Sequence, residues 1–125
     1  MNAEPRTVTV TVLTTQALDI DEPTWCVDAH SGAQFKPDIV HNGPEIAAYI
    51  ETGDTALAYL QAWITTAPYG VIHHEPLPLV AIDVAGTVAS YDPDTVRAFT
   101  RITRLHLDRI DQLADEAERL RGGGQ

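Results

Sequence analysis

A single apolar stripe near the C-terminal end of the chain restricts the fold more than any other feature of the sequence. Its members recur at steps of three and four residues, the spacing of one helical face: Phe99, Ile102, His106, Ile110, Leu113, Ala117 and Leu120. Asp92 can cap the N-terminus of such a helix, and Pro93 suits its first position. Gly122 and the glycines after it end the pattern. The sequence therefore predicts one helix from Pro93 to about Arg121, roughly 43 Å long.

The predicted helix is longer than a small sheet usually covers, so part of its stripe needs another partner. Such a stripe packs on a sheet or on a second helix. We therefore expect the helix 93–121 to contact a protein partner or a second copy of the chain. His106 lies on the stripe and is interpreted as a core or interface histidine. Three arginines share another face, where they pair with acidic neighbours or contact an anionic partner: Arg97, Arg101 and Arg104.

Upstream of the helix, the sequence predicts a small antiparallel sheet. Residues Thr7–Thr14 alternate valine with threonine, the period-two pattern of a strand with one apolar face. Residues 45–66 fit a helix, which their alanines favour, or a hairpin turning at 52–54, which their aromatic and β-branched residues favour. We interpret them as the hairpin. A loop at 67–76 precedes a strand predicted at Leu77–Val84, which ends in a turn.

Between the first predicted strand and the hairpin lies a loop, residues 19–44, rich in proline, glycine and aspartate. Loops this long are uncommon in small domains unless they are functional or tied down. This one holds a concentrated set of ligand-type side chains: Cys26, His30 and His41. Zn²⁺ prefers thiolate and imidazole, and a structural zinc site has four ligands. The fourth is Asp38, three residues before His41, or Glu22, four before Cys26, or a water that would leave the site open.

Metal binding can supply the free energy that orders this loop, because the loop has few apolar residues to bury. Two other interpretations stay open. Cys26 packs as a small apolar residue beside Trp25 while the histidines bond to backbone. Alternatively, Cys26 is a nucleophile, with His30 or His41 as base and Asp38 orienting it, although the acidic surroundings oppose the lowered thiol pKa that this needs. The common sequence signatures of nucleotide-binding enzymes, serine hydrolases and zinc peptidases are missing.

Charge and cysteine content exclude several classes of protein. The net charge of −10, from 18 acidic and 8 basic residues, disfavours binding to nucleic-acid phosphates or anionic lipid. One cysteine excludes an internal disulfide. No apolar run approaches the roughly 20 residues of a membrane helix, and the N-terminus lacks the pattern of a signal peptide. We therefore expect a cytoplasmic protein.

Two short motifs carry a resemblance to a known family. They are Glu22-Pro23-Thr24-Trp25-Cys26 followed by His30, and Asp38-Ile39-Val40-His41-Asn42-Gly43-Pro44. With the strand-like start and the Asp-Pro-introduced helix, they resemble a family of small actinobacterial and actinophage proteins of unknown function, whose motifs are EPxWCxxxH and DIxHxGP. The resemblance covers nearly the whole chain, apart from the segment APYGVIHHEPLP.

The resemblance places five residues inside the family's motifs: Trp25, Cys26, His30, Asp38 and His41. It strengthens the prediction of a metal site and implies an actinobacterial or phage setting and a cytoplasmic location. It implies no activity, because the family has none assigned.

We therefore predict one α+β domain over residues 1–121, with a flexible Gly-rich tail at 122–125. A small antiparallel sheet packs against the long C-terminal helix, and a metal pins the loop between the first strand and the middle of the chain. The expected function is a non-enzymatic, zinc-stabilised interaction or regulatory module, with Zn²⁺ held by Cys26, His30, His41 and Asp38, and with Trp25 shielding the thiolate. The alternatives are a small metal-dependent or cysteine-dependent hydrolase, and an acidic decoy of phage type that binds a basic partner.

Overall fold

The computed structural model describes residues 5–10, 16–30, 32, 34–70 and 75–123. Within them lie one antiparallel sheet of five strands and one long C-terminal helix, which confirms the α+β prediction. The elements follow a short 3₁₀ helix at Lys36–Asp38 in this order: β1 (His41–Asn42), β2 (Ile46–Thr52), β3 (Thr55–Ala67), β4 (Glu75–Val84), β5 (Thr87–Tyr91) and α1 (Pro93–Arg121).

The 13-residue strand β3 organises the sheet, because three other strands pair with it. β4 takes one of its edges, and β5 pairs with the far side of β4. β1 and β2 share the other edge of β3: His41 pairs with Thr66, whereas Thr52 pairs with Thr55. The chain therefore enters the sheet at β1, directly after the loop that holds the ligand-type residues.

The hairpin predicted for residues 45–66 is confirmed as β2 and β3. Its two-residue turn places Gly53 at φ 63°, a backbone conformation that glycine adopts without strain. The turn predicted before the helix joins β4 to β5, a strand that the sequence reasoning missed. Of the predicted loop at 67–76, residues 71–74 lie outside the described residues, and β4 begins at Glu75.

The predicted first strand is wrong for the part that is described. Thr7–Val10 belong to no strand, and Val8 and Val10 are 68% and 70% exposed. Alternation supplies an apolar face, but a strand also needs a partner for its backbone groups, and these four residues pair with no described strand. Residues 11–14 lie outside the described residues.

Helix α1 matches its prediction at both ends. The Asp92 carboxylate accepts a hydrogen bond from the Thr95 backbone N–H at 2.7 Å, which satisfies a free amide of the first turn. Gly122 ends the helix, and its N–H donates to the Glu118 carbonyl. α1 contacts the sheet at β4, and its half-buried residues all lie between Val96 and Thr103. Every residue of α1 from Arg104 onwards is exposed.

The Asp92 cap gives a pH-dependent prediction. The Thr95 N–H holds the pKa of Asp92 below its usual value. A carboxylate with a lowered native pKa stabilises the fold above its unfolded pKa, and this contribution disappears as the pH falls through the native pKa. Asp92→Ala is therefore expected to lower the melting temperature at pH 7, and the difference from the parent protein should shrink below about pH 4. Asp111→Ala, an exposed mid-helix control, should show no such cap effect.

The enclosed centre of the domain is small and lies where β1, β3 and β4 meet. Among the described residues, it consists of His41, Gly43, Thr66, Ala81 and Ile82. Only two of these five carry apolar side chains, Ala81 and Ile82, and the His41 imidazole is enclosed beside them. The hydrophobic core is therefore thin, and a polar group occupies its middle.

Among the described residues, no helix combines the length and the apolar character that crossing a bilayer requires.

Candidate metal centre

The loop that precedes β1 folds back on itself at residues 22–30. The Cys26 N–H donates to the Pro23 carbonyl at 3.0 Å, which closes a turn and returns Cys26 towards Glu22. The Val27 N–H donates to the Asn42 carbonyl at 2.9 Å, so the loop attaches to β1 through backbone. His30 follows with φ 49°, in the left-handed region that non-glycine residues seldom adopt. In this conformation the His30 side chain lies back towards the turn closed by Pro23 and Cys26.

Four ligand-type side chains converge at this turn: Glu22, Cys26, His30 and His41. Each contributes one ligand atom, and all four atoms lie within 4.8 Å of one another. His30 is the centre of the contacts, with its Nε2 3.5 Å from the Cys26 Sγ and 3.2 Å from Glu22 Oε1. The rings of His30 and His41 meet edge to face, with centroids 5.2 Å apart.

Two of these spacings, both made by His30 Nε2, are close to the edges of a metal coordination tetrahedron. With the usual Zn–S, Zn–N and Zn–O bond lengths, tetrahedral ligand atoms lie about 3.3–3.6 Å apart. The two short contacts of His30 fall at or just below this range. A single ring nitrogen carries one proton or one lone pair, so it satisfies two such neighbours poorly. A cation between the groups would satisfy all of them.

His41 is the most informative member of the group. It is 1% exposed, and neither of its ring nitrogens has a hydrogen-bond partner among the described residues. A buried polar atom without a partner costs about 1–3 kcal/mol, so native proteins seldom leave one in this state. Strand β1 fixes the residue, because His41 pairs with Thr66 in the centre of the domain. Its imidazole is a rigid, dehydrated donor facing the turn.

Asn42, the next residue, ties the loop to the sheet through its side chain. Its Oδ1 accepts from the Thr65 hydroxyl at 2.8 Å and from the Trp63 indole N–H at 3.2 Å. Its Nδ2 donates to Asp28 at 2.8 Å, inside the loop. Sequence reasoning missed this residue, since nothing in the spacing of an asparagine reveals partners on a strand 20 residues away.

Trp25 lies against Gly43, the residue after Asn42. A Cβ at Gly43 would stand 3.5 Å from Trp25 Cε3 and 3.6 Å from the Ile64 Cβ. The Gly43 N–H donates to the Ile64 carbonyl at 2.8 Å, which continues the pairing of β1 with β3. The indole therefore covers the backbone just beyond His41 and Asn42 and holds the Cys26 turn against the sheet.

The Asn42 contacts predict a large effect on stability. Asn42→Ala removes three side-chain hydrogen bonds and leaves half-buried partners unsatisfied, so we expect a loss of about 2–4 kcal/mol in the free energy of unfolding. Denaturant unfolding measures it. Thr52→Ala, which removes the exposed contacts of the Thr52 hydroxyl with the Thr55 carbonyl and hydroxyl at the β2–β3 turn, is the control and should cost much less. An Asn42→Ala variant as stable as this control would refute the role given to Asn42.

Cys26 is held as a thiol in the metal-free protein. Burial raises its pKa, and the neighbouring Glu22 raises it further by accepting a hydrogen bond and by its negative charge. Backbone N–H groups of Asp28 and Asn42 lower the pKa, but burial is the largest effect and the pKa stays above its usual value. A nucleophilic cysteine needs the reverse environment. The structure therefore gives no support to the interpretation of Cys26 as a nucleophile.

The structure brings together three of the four predicted ligands, Cys26, His30 and His41. The fourth predicted ligand, Asp38, is not a member of this group: it ends the 3₁₀ helix and is exposed. Glu22, the alternative named from its spacing to Cys26, is the carboxylate beside them. The 3₁₀ turn carries Asp38 away, whereas the turn at Pro23–Cys26 brings Glu22 in.

The chain belongs to a family described as a domain of unknown function, DUF6907, whose model matches residues 7–119. The match spans both motif segments, the sheet and nearly all of α1, and it confirms the predicted membership of a family of unknown function. No curated protein and no solved structure matches this chain.

Proposed function

We propose that Glu22, Cys26, His30 and His41 bind one Zn²⁺ ion, and that the chain is a zinc-stabilised, non-enzymatic interaction module. One observation carries the proposal. The imidazole of His41 is enclosed at the centre of the domain with both nitrogens unpartnered, and three further ligand-type groups converge on it. Coordination accounts for a buried imidazole that no hydrogen bond explains.

The donor set favours zinc over other common cations. One thiolate and two imidazoles are soft to intermediate donors that suit Zn²⁺, which also accepts a carboxylate oxygen, whereas Mg²⁺ and Ca²⁺ prefer oxygen ligands throughout. The four side chains would complete a tetrahedron. A site with four protein ligands has no open position for a water or a substrate, which is typical of structural rather than catalytic zinc.

The thin core explains what the ion would do. Among the described residues, only Ala81 and Ile82 are buried apolar side chains, so burial of apolar surface contributes little at the junction of the loop and the sheet. Structural zinc binding is folding free energy, because the assembled site does not exist in the unfolded chain. Zinc would join the turn at residues 22–30 to β1 and leave the exposed half of α1 as the interaction surface.

The zinc content of the untagged protein tests the proposal, and variants with single substitutions show which side chains bind the ion. We expect one zinc per chain in the parent protein and none in Cys26→Ser. Glu22→Gln and Asp38→Asn are a matched pair, each turning a carboxylate into an amide. Glu22→Gln should weaken zinc binding, whereas Asp38→Asn should leave it unchanged.

Three outcomes of this experiment would overturn the proposal. They are a parent protein that binds no zinc when supplied with it, a Cys26→Ser variant that retains zinc at full affinity, and dependence of zinc binding on Asp38 instead of Glu22. Competition with a chelator of known affinity measures each variant in solution, including one that is only marginally folded.

The proposal also predicts the pH dependence of zinc binding. Burial and Glu22 raise the pKa of the Cys26 thiol, so the metal-free protein holds this proton at neutral pH. Zinc binds the thiolate and displaces the proton. The affinity should therefore rise about tenfold per pH unit until the pH reaches the thiol pKa, and binding should release a proton that a weakly buffered titration detects. Thiolate ligation predicts the release of about one proton per zinc bound, so an affinity independent of pH between 6 and 8 would contradict it.

A further inference from the structure

The apolar stripe of α1 continues past the sheet that covers its beginning. The a and d positions of a heptad repeat along α1 keep every residue of the stripe except Ile102 and add Val96 and Thr103. They are Val96, Phe99, Thr103, His106, Ile110, Leu113, Ala117 and Leu120. The first three are half-buried beside β4, whereas the remaining five are exposed. One face of the helix is thus covered at its start and bare over the next 15 residues or so, about 22 Å.

The bare part of the stripe is strongly apolar. Ile110 is 47% exposed, Leu113 69% and Leu120 54%. Soluble monomers seldom leave a continuous apolar surface of this kind uncovered, and a helix of this length gains little stability without packing. An exposed apolar face of this kind is typical of a helix that packs against a second surface.

The residues that flank the exposed part of the stripe are complementary to the same residues of a second copy when the two helices run antiparallel. When Ile110 faces Leu113 of the partner subunit, His106 faces Ala117 of the partner subunit. The flanking g positions then bring Arg109 beside Glu116 of the partner subunit, and symmetry repeats this ion pair. On the other flank, Leu107 meets Ala114 of the partner subunit. Every flanking contact is thus attractive or apolar.

Arg109 is available for such a pair. Its side chain is exposed, and among the described residues it makes no ion pair, unlike Arg97 with Asp94 and Arg119 with Glu116. A parallel pair would instead set Arg109 beside Ala114 of the partner subunit and place the two His106 rings against each other. The charge pattern favours the antiparallel arrangement.

We infer that residues 106–117 of α1 pair antiparallel with the same segment of a second copy, forming a homodimer around Ile110 and Leu113. The inference names the partner for the interaction role proposed above and rests on that role, but it does not depend on the metal. The two are separable, because the helix segment lies outside the metal group.

Sedimentation of the full chain over a range of concentrations tests the dimer, with charge variants as probes. Arg109→Glu should weaken the dimer about tenfold, since it turns two attractive pairs into repulsive ones. Glu116→Arg alone should weaken it too. The double variant Arg109→Glu/Glu116→Arg should recover most of the affinity, because the pairs are re-formed with exchanged signs. Arg101→Glu, at an outward f position, changes the net charge equally and should have no effect.

Leu113→Gln is the second probe. It removes an apolar side chain that is 69% exposed in the single chain, so the sheet and the zinc content should be unchanged, while dimer affinity should fall about a hundredfold or more. A parent protein that is monomeric at all concentrations would overturn the inference. So would a dimer that Leu113→Gln leaves intact, or one that the charge exchange fails to restore. A parent protein that dimerises but binds no zinc when supplied with it would refute the metal centre alone.

Discussion

His41→Gln is expected to abolish stoichiometric zinc binding and to lower the free energy of unfolding by about 4 kcal/mol, the stabilisation that a ligand gives at a thousandfold excess over its Kd. Glutamine is close to histidine in size and keeps a polar head, so the substitution leaves little cavity. The expected loss therefore comes from the missing metal bond and from the three ligands left around it.

The size of this effect separates the two explanations of a buried histidine. If His41 were only a packed core residue with unsatisfied nitrogens, exchanging one unpartnered polar group for another would change stability by about 1 kcal/mol or less. Denaturant unfolding at saturating zinc measures the difference. His106→Gln, the same change at an exposed helix position, should leave the zinc content unchanged. A His41→Gln protein with parental stability would show that no metal bond is made there.

Removing the metal from the parent protein is the second change with a large expected effect. A chelator stronger than the site should lower the melting temperature by roughly 10–20 °C, because several kcal/mol of binding free energy are lost from a domain of this size. Returning zinc should restore it. The same treatment of Cys26→Ser should change nothing further, and this variant is the control for direct effects of the chelator.

Hydrogen exchange locates the loss. The Val27 amide bonds to Asn42, and the Gly43 amide bonds to Ile64. Val27 lies in the loop and Gly43 directly after β1, so the two amides report on the two segments that the metal would join. Both should exchange much faster after chelation. The amides of the β2–β3 hairpin near its turn at Gly53 should change little, since they are distant from the group. Uniform change across the chain would instead indicate global destabilisation, and no change would contradict the metal's structural role.

The parts of the fold that local sequence signals determine could be predicted. Asp92 and Gly122 mark the ends of α1 because caps and glycine stops act through neighbouring residues. The β2–β3 hairpin followed from its turn and its β-branched residues. The parts of the fold that depend on partners distant in the sequence could not be predicted. Thr7–Val10 have the alternation of a strand without a described partner for it, and β5 is too short to stand out from the turn before it.

The same distinction between local signals and distant partners applies to the candidate metal centre. Residue type and spacing indicated Cys26, His30 and His41, because thiolate and imidazole are the ligands that Zn²⁺ prefers and the three residues lie close together in the sequence. The carboxylate could not be chosen by spacing, since Asp38 lies three residues from His41 and Glu22 lies four residues from Cys26. The 3₁₀ helix and the Pro23 turn decide between them. The burial of His41 arises from its pairing with Thr66 and had no sequence signal.

X-ray absorption at the zinc edge of the loaded protein tests the central claim most directly, because it reports the atoms bound to the ion. The account predicts one sulfur at about 2.3 Å and three nitrogen or oxygen atoms at about 2.0–2.1 Å, in a four-coordinate site. The sulfur contribution should be absent when Cys26→Ser is loaded at high zinc. A parent spectrum without sulfur, or with six light-atom ligands, would contradict the assignment of Glu22, Cys26, His30 and His41 as the zinc site.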